Sequence, residues 1–192
     1  MAIIGHATVR SAPGIAKVYV DTWRSAYAGL LPDRVLLNMS YERQANEWAW
    51  VIRNRSDSQS VMVAAEVGHG VVGMASLGHG RSGDLPPNGP FAASGGAVGE
   101  IYTLYILPEF QERGIGRQLL AASFSALVSR GIDRAYAWTI RDNQARFFYE
   151  RMGGTCIAER KQKLWGSDVA QTAYGWADLK AAVSKLGSFS AR

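Results

Sequence analysis

Between residues 100 and 131 the hydrophobic pattern changes its period. Ile101, Leu104, Ile106 and Leu107 alternate with Tyr102, Thr103 and Tyr105, the β-branched and aromatic enrichment of a central strand. Pro108 stops that strand, because proline has no N–H to give to a ladder. Further on, Leu119, Leu120, Phe124, Leu127 and Val128 recur at helical spacing, and Gly131 stands where a C-cap belongs. Gln111-Glu-Arg-Gly-Ile-Gly116 joins the two as a glycine turn. The pattern predicts a buried strand, a tight turn and the N-terminus of an amphipathic helix.

The remaining pattern surrounds that unit with short elements. Residues 7–10 read as a first strand, and a helix is expected from about Gly14 to Ala28, ended by the turn Leu30-Leu-Pro-Asp33. Ser40 can cap a second helix, with Glu42 in its first turn. Residues 60–66 and 71–77 form an antiparallel hairpin around Gly68 and Gly70. Residues 79–98 are Gly/Pro-rich and patternless, which suits a mobile lid, a partner surface or a disordered insertion. Residues 134–140 predict a strand parallel to the one opening at Glu100. A short helix from Asn143 to Met152, a closing antiparallel pair at 155–160s and 172–176, and a last helix at 177–186 complete the order. This is a mixed α/β or α+β sheet with helices on both faces.

Composition narrows the class without choosing a function. The 192 residues suit one domain, 1–192, with a substantial core, and 47% hydrophobic against 19% charged residues is ordinary for a soluble chain. The start lacks the basic and apolar regions of a signal peptide, and no apolar run reaches membrane length, so a cytoplasmic protein is expected. The net charge of +5 suits an anionic ligand, but the basic residues are scattered and no nucleic-acid-binding motif occurs. Cys156 is the single cysteine, and His6, His69 and His79 lack ligand spacing, so neither a disulfide nor a metal site is expected. No Gly-x-Ser-x-Gly elbow is present.

The glycine turn supplies the first chemical clue. Free N–H groups at a helix N-terminus and the positive end of its dipole together attract an anion. A Walker A loop would continue with Lys and Ser/Thr, whereas Arg117 and Gln118 follow Gly116. A dinucleotide fingerprint would place a third glycine at Leu119.

The surrounding residues resemble a known family. Residues 106–120 look like the acyl-CoA-binding motif of the GNAT-type (GCN5-related) N-acetyltransferases, whose core Gln/Arg-x-x-Gly-x-Gly/Ala is matched by Gln111, Gly114 and Gly116. Residues 143–154 resemble the family's Asn-x-x-Ala-x-x-Phe-Tyr-x-x-x-Gly-Phe segment, with Ala145 shifted and Gly154 in place of the usual Phe. Residues 22–33 are also similar to many members. The resemblance, spanning about residues 7–176, implies a mostly antiparallel sheet of six to seven strands. Its central parallel pair would be splayed to admit the cofactor. It implies acetyl transfer from acetyl-CoA, as co-substrate, to a primary amine of a small molecule or protein.

Roles follow by position from that resemblance. The backbone of Leu104, Tyr105 and Ile106 would pair with the pantetheine arm as an added strand would. N–H groups from Gln111, Glu112, Arg113, Gly114, Ile115, Gly116 and Arg117 would hold the pyrophosphate, with Arg113 and Arg117 able to add charge. Asn143 matches a cofactor-contacting asparagine, and an N-cap explains it equally well. Tyr149 would assist the leaving thiolate, against the competing reading of a buried aromatic beside Phe147 and Phe148. Glu100 would be the general base, or else an exposed strand-end carboxylate; His79 is a weaker candidate. The glutamate that some members carry five residues before the asparagine is Trp138 here. Trp23, Tyr27 and Tyr105 could line the amine pocket. A non-catalytic acyl-CoA-binding regulatory or scaffold module is the alternative, and exposed strand edges leave room for a homodimer.

Overall fold

The computed structural model describes residues 1–81, 83, 85, 86, 89, 91, 96–164 and 166–188. A seven-stranded sheet runs in the order β1-β2-β3-β4-β5-β7-β6. Its strands are β1 (Ile3–His6), β2 (Ser60–Glu66), β3 (Gly70–His79), β4 (Val98–Ile106), β5 (Arg134–Ile140), β6 (Thr155–Leu164) and β7 (Ser167–Trp176). The helices are α1 (Ala12–Ala26), α2 (Asp33–Leu37), α3 (Tyr41–Asn54), α4 (Ile115–Val128), α5 (Ala145–Arg151) and α6 (Leu179–Ser188). Among the described residues only β4 and β5 pair in parallel, joined through α4, and the other ladders are antiparallel.

Local chemistry accounts for most element ends. Ser40 Oγ accepts the Arg43 N–H at 3.3 Å and starts α3 as its cap. At the end of α4, Gly131 (φ 75°) turns the chain so that the Ile132 N–H reaches the Leu127 carbonyl at 3.1 Å. The first strand departs from expectation. Thr8 and Ser11 bond each other, with Ser11 N–H donating to the Thr8 carbonyl at 2.8 Å and Thr8 N–H to Ser11 Oγ at 3.2 Å. Residues 9–11 therefore coil into a 3-10 turn feeding α1, and the strand lies upstream, with Ile3 opposite Ala65. The closing hairpin is longer than expected, and α2 lies where only a turn was anticipated.

Two faces of the sheet are covered. Gly73 and Ile106 are paired across β3 and β4, and a Cβ at Gly73 would lie 3.1 Å from Leu119 of α4. A Cβ at Gly99 would lie 2.7 Å from Leu127, so missing side chains let α4 settle close against the strands. Leu119, Leu120, Phe124 and Leu127 are fully buried there. On the opposite face Tyr105 meets Tyr19 of α1 edge-on, ring centroids 5.5 Å apart. Within 79–98, residues 82, 84, 87, 88, 90 and 92–95 lie outside the described residues. The described Phe91 is buried, and the Arg134 guanidinium donates to the Phe91 and Gly96 carbonyls at 3.5 and 3.2 Å.

The central pair separates. β4 and β5 are paired only from Val98↔Arg134 to Glu100↔Tyr136, whereas β5 continues on β7 as far as Ile140↔Gln171. Beyond Glu100 the two facing edges carry no ladder to one another, so a V opens toward the C-terminal end of β4.

Candidate active site

The turn after β4 is built to present backbone N–H groups. Glu112 (φ 61°) and Gly114 (φ 77°) are both left-handed, and such alternation gathers successive N–H groups into an anion-binding concavity. The first helical bond of α4 runs from the Gln118 N–H to the Gly114 carbonyl at 3.1 Å. Among the described residues, the N–H groups of Glu112, Arg113, Gly114, Ile115 and Gly116 donate to nothing, and no side chain caps the helix. A diphosphate fits this donor set, since it offers acceptors to N–H groups at the positive end of a 14-residue helix.

The side chains in this turn serve other ends. Gln111 Nε2 donates to the Ile106 carbonyl at 3.1 Å, and Thr22 Oγ1 donates to the same oxygen at 3.3 Å. The Ile106 carbonyl is therefore already engaged. Arg113 Nη2 donates to the Glu109 carbonyl at 2.7 Å with its guanidinium over the Phe110 ring. Arg117 Nη1 donates to the Leu186 carbonyl at 3.1 Å, tying α4 to α6. Ile115 is buried in the core. A Cβ at Gly116 would lie 3.2 Å from the Phe148 ring, so this glycine makes room for α5, while a Cβ at Gly114 would meet nothing closer than Arg117 at 3.7 Å.

α5 carries the candidate tyrosine to the same place. Asn143 Oδ1 accepts the Ala145 N–H at 2.8 Å, so the asparagine caps α5. Tyr149 is 7% exposed and packs on Phe148, Tyr174 and Trp176 at centroid distances of 5.3, 6.1 and 5.9 Å. Burial, with a smaller contribution from the Tyr27 phenol, pushes its pKa up, so the group stays protonated at neutral pH. Tyr27 Oη lies 3.4 Å from Tyr105 Oη on β4. Tyr19, Trp23, Tyr27 and Tyr105 form a contiguous aromatic cluster on the α1 face. Leu104 is half-buried opposite Ala75.

Glu100 is the surprise. It is 1% exposed rather than a solvated strand end. Arg81 grips it with two nitrogens, Nε to Oε2 at 3.0 Å and Nη2 to Oε1, and Tyr136 Oη donates to Oε2 at 3.0 Å. The Arg81 N–H also donates to Oε2 at 3.4 Å. Arg81 and Tyr136 lie 19 and 36 residues away in the chain, beyond the reach of any local spacing argument. Both also line a cavity of about 340 Å³ with His79, Leu85, Pro86 and Phe91.

The other candidates sort quickly. His79 is exposed, and its carbonyl accepts from Tyr102 Oη at 2.7 Å. Cys156 is exposed on the edge strand β6. The Trp138 indole N–H is buried without a partner among the described residues, and the Arg160 guanidinium lies 3.9 Å from its ring centroid. No group of three His, Cys, Asp or Glu side chains able to hold a metal occurs among the described residues. None of their helices is long and apolar enough to cross a membrane.

Comparison with known proteins bears on this arrangement. Residues 3–154 match the acetyltransferase (GNAT) family. Over 181 residues the chain is 31% identical to YuaI of Bacillus subtilis (strain 168), described as an uncharacterized N-acetyltransferase, covering 94% of this chain and 96% of that protein. Its fold is similar to the PaiA N-acetyltransferase of Thermoplasma acidophilum solved in complex with coenzyme A (TM-score 0.61, 18% identity, 90% and 98% coverage). It is also similar to the ribosomal-protein-alanine N-acetyltransferase of Brucella melitensis (TM-score 0.66, 22% identity, 91% and 98% coverage).

Proposed function

The chain belongs to the acetyltransferase (GNAT) family, and on that premise we propose that it transfers the acetyl group of acetyl-CoA directly to a primary amine. The observation that carries the reading is the run of undonated N–H groups from Glu112 to Gly116, set beyond the open end of the gap between β4 and β5. These groups and the helix dipole would hold the pyrophosphate. The Leu104 N–H and carbonyl, which alternation along β4 turns away from β3 and toward the gap, would pair with the amide groups of the pantetheine arm as an added strand would, while the Tyr105 backbone is committed to Met74. The engaged carbonyl of Ile106 leaves that residue's N–H as its remaining contribution. Asn143 would support the cofactor side through its cap on α5, the helix whose Phe148 packs against Gly116 of α4 and which carries Tyr149.

Acetyl-CoA, when bound, supplies a thioester whose C–S bond breaks as the N–C bond to the amine forms, with net release of one proton. Tyr149 would place its phenol against the leaving sulfur. A phenol of ordinary pKa ~10 is already about 1.5 units weaker as an acid than a thiol near ~8.5. Burial raises this one further, so Tyr149 would act as a hydrogen-bond donor that holds charge rather than as a net proton donor. Glu100 would take the ammonium proton, once Arg81 gives up its hold on the carboxylate.

The closed state of Glu100 also favours a second reading, a non-catalytic acyl-CoA-binding module that keeps the cradle alone. Thiol release from acetyl-CoA against a panel of primary amines, with calorimetry of CoA binding, separates the two. Amine-dependent release is expected. CoA binding with no amine turned over would assign the chain to the second class.

A further inference from the structure

The grip of Arg81 on Glu100 says something about the amine. The Arg81 side chain is 59% exposed and Glu100 is 1% exposed, so the guanidinium is a cap on a buried carboxylate. Its other surroundings orient that cap: the guanidinium lies 5.6 Å from the centre of the Tyr102 ring, and Tyr102 is itself fixed to the His79 carbonyl. The outer side of the pair borders the 340 Å³ cavity.

An amine reaches its base as an ammonium, and so arrives as a second cation at a single buried carboxylate. Guanidinium and ammonium together would leave an uncompensated positive charge there, in a setting where desolvation makes it costly. A substrate that brings its own anion removes the difficulty. The ammonium takes the place of the guanidinium on Glu100, and the guanidinium swings onto the substrate's anionic group. Glu100 keeps its bonds from Tyr136 Oη and from the Arg81 N–H throughout, because neither depends on the Arg81 side chain. Arg81 already faces the cavity, and its planar fork suits a carboxylate or phosphate oxygen pair.

We propose that the Arg81–Glu100 pair is a receptor for a zwitterionic amine, a primary amine carrying a carboxylate or phosphate near the reacting nitrogen, and that Arg81 sets this specificity. The inference rests on the acetyltransfer reading for its rate consequences, but it also makes a claim about binding that stands alone. Charge-assisted pairs of this kind discriminate by roughly 10- to 100-fold.

The test uses matched amines, each amino acid or aminoalkyl phosphate beside its neutral amide or ester. Two readouts are taken: kcat/KM from thiol release, and calorimetric affinity of the same amines for the CoA-loaded protein. The wild type is expected to favour the anionic member of each pair by about tenfold or more. Arg81→Leu should bring that ratio near one, and Arg81→Lys should recover part of it; taking ratios cancels differences in amine basicity. Arg81→Leu strands a buried carboxylate, so Arg81→Leu combined with Glu100→Gln, followed by thermal unfolding, keeps a folding defect distinct from a lost preference. A wild-type preference for neutral amines, or a preference unchanged in folded Arg81→Leu, overturns the proposal. Arg81-dependent binding of zwitterionic amines without turnover would keep the receptor and sink the acetyltransfer reading. Neither binding nor turnover of any amine overturns both.

Discussion

Replacing Tyr149 with phenylalanine separates packing from chemistry at the point where the two readings of this residue compete. The ring makes contacts to Phe148, Tyr174 and Trp176, and phenylalanine keeps all of them. No hydrogen bond ties the Tyr149 oxygen to a described residue, so deleting it strands no protein partner. The stability change should stay below ~1 kcal/mol, a Tm shift of no more than about 2–4 °C for a chain of this size. The chemical effect should be larger. A hydrogen bond to a charged acceptor is worth roughly 1.5–3 kcal/mol, which is about 10- to 150-fold in kcat. Because proton transfer from this phenol is uphill, the phenol should add no limb to the kcat–pH profile below pH ~10. Thiol-release kinetics with saturating acetyl-CoA and calorimetry of CoA binding give the two numbers. A variant with unchanged CoA affinity and a kcat within twofold of wild type would refute the argument and leave Tyr149 a packing residue.

The remaining predictions follow from single contacts. Gly114→Ala forces a Cβ into a left-handed conformation and should cost about 1–2 kcal/mol in denaturant unfolding. Gly116→Ala presses a methyl 3.2 Å from Phe148, the neighbour of Tyr149, and should lower kcat while leaving CoA affinity near wild type. Ser40→Ala removes the α3 cap and should cost ~0.5–2 kcal/mol by the same unfolding measurement. Burial raises the pKa of Tyr19, Tyr27, Tyr105 and Tyr149 in the folded chain above the unfolded value. Their stabilising effect is thus complete below pH ~10 and lost as pH rises through the folded values, so phenolate absorbance should climb steeply only with alkaline unfolding.

What could be read from the chain was what local periodicity and turn chemistry control. The strand at Glu100, the helix running to Gly131 and the Ser40 cap arise from local patterns, and the parallel pairing with residues 134–140 follows from the helix that intervenes. The errors come from side-chain partners that neither periodicity nor turn chemistry announces. Of the two readings of Glu100, the exposed strand-end acid fails, because no local pattern reveals Arg81 or Tyr136. The neighbour that a Cβ at Gly116 would meet is Phe148, 32 positions on, which the glycine turn itself does not reveal. The slip at residues 7–10 has a local cause of a different kind, since the mutual bonds of Thr8 and Ser11 outweigh a modest strand propensity.

The V itself explains why the candidate ligand is an extended one. β5 exchanges partners, leaving β4 after Tyr136 while staying on β7 to Ile140, and so both edges of the gap lose their ladder over the same stretch. β4 stays anchored on its other side to β3 as far as Ile106, with one bulged residue at Tyr102 between Ile101 and Thr103. The buried acid thus stands at the closed end of the gap and the free N–H groups stand beyond its open end. Six strand residues at ~3.3 Å each separate Glu100 from Ile106, roughly 20 Å. A ligand with its phosphates on the turn and its reacting atom beside Glu100 must bridge that length with a thin, hydrogen-bonding arm. A bare nucleotide is too compact to do so, whereas a diphosphate joined to an amide-bearing chain meets the cradle, the unpaired edge and the acid together.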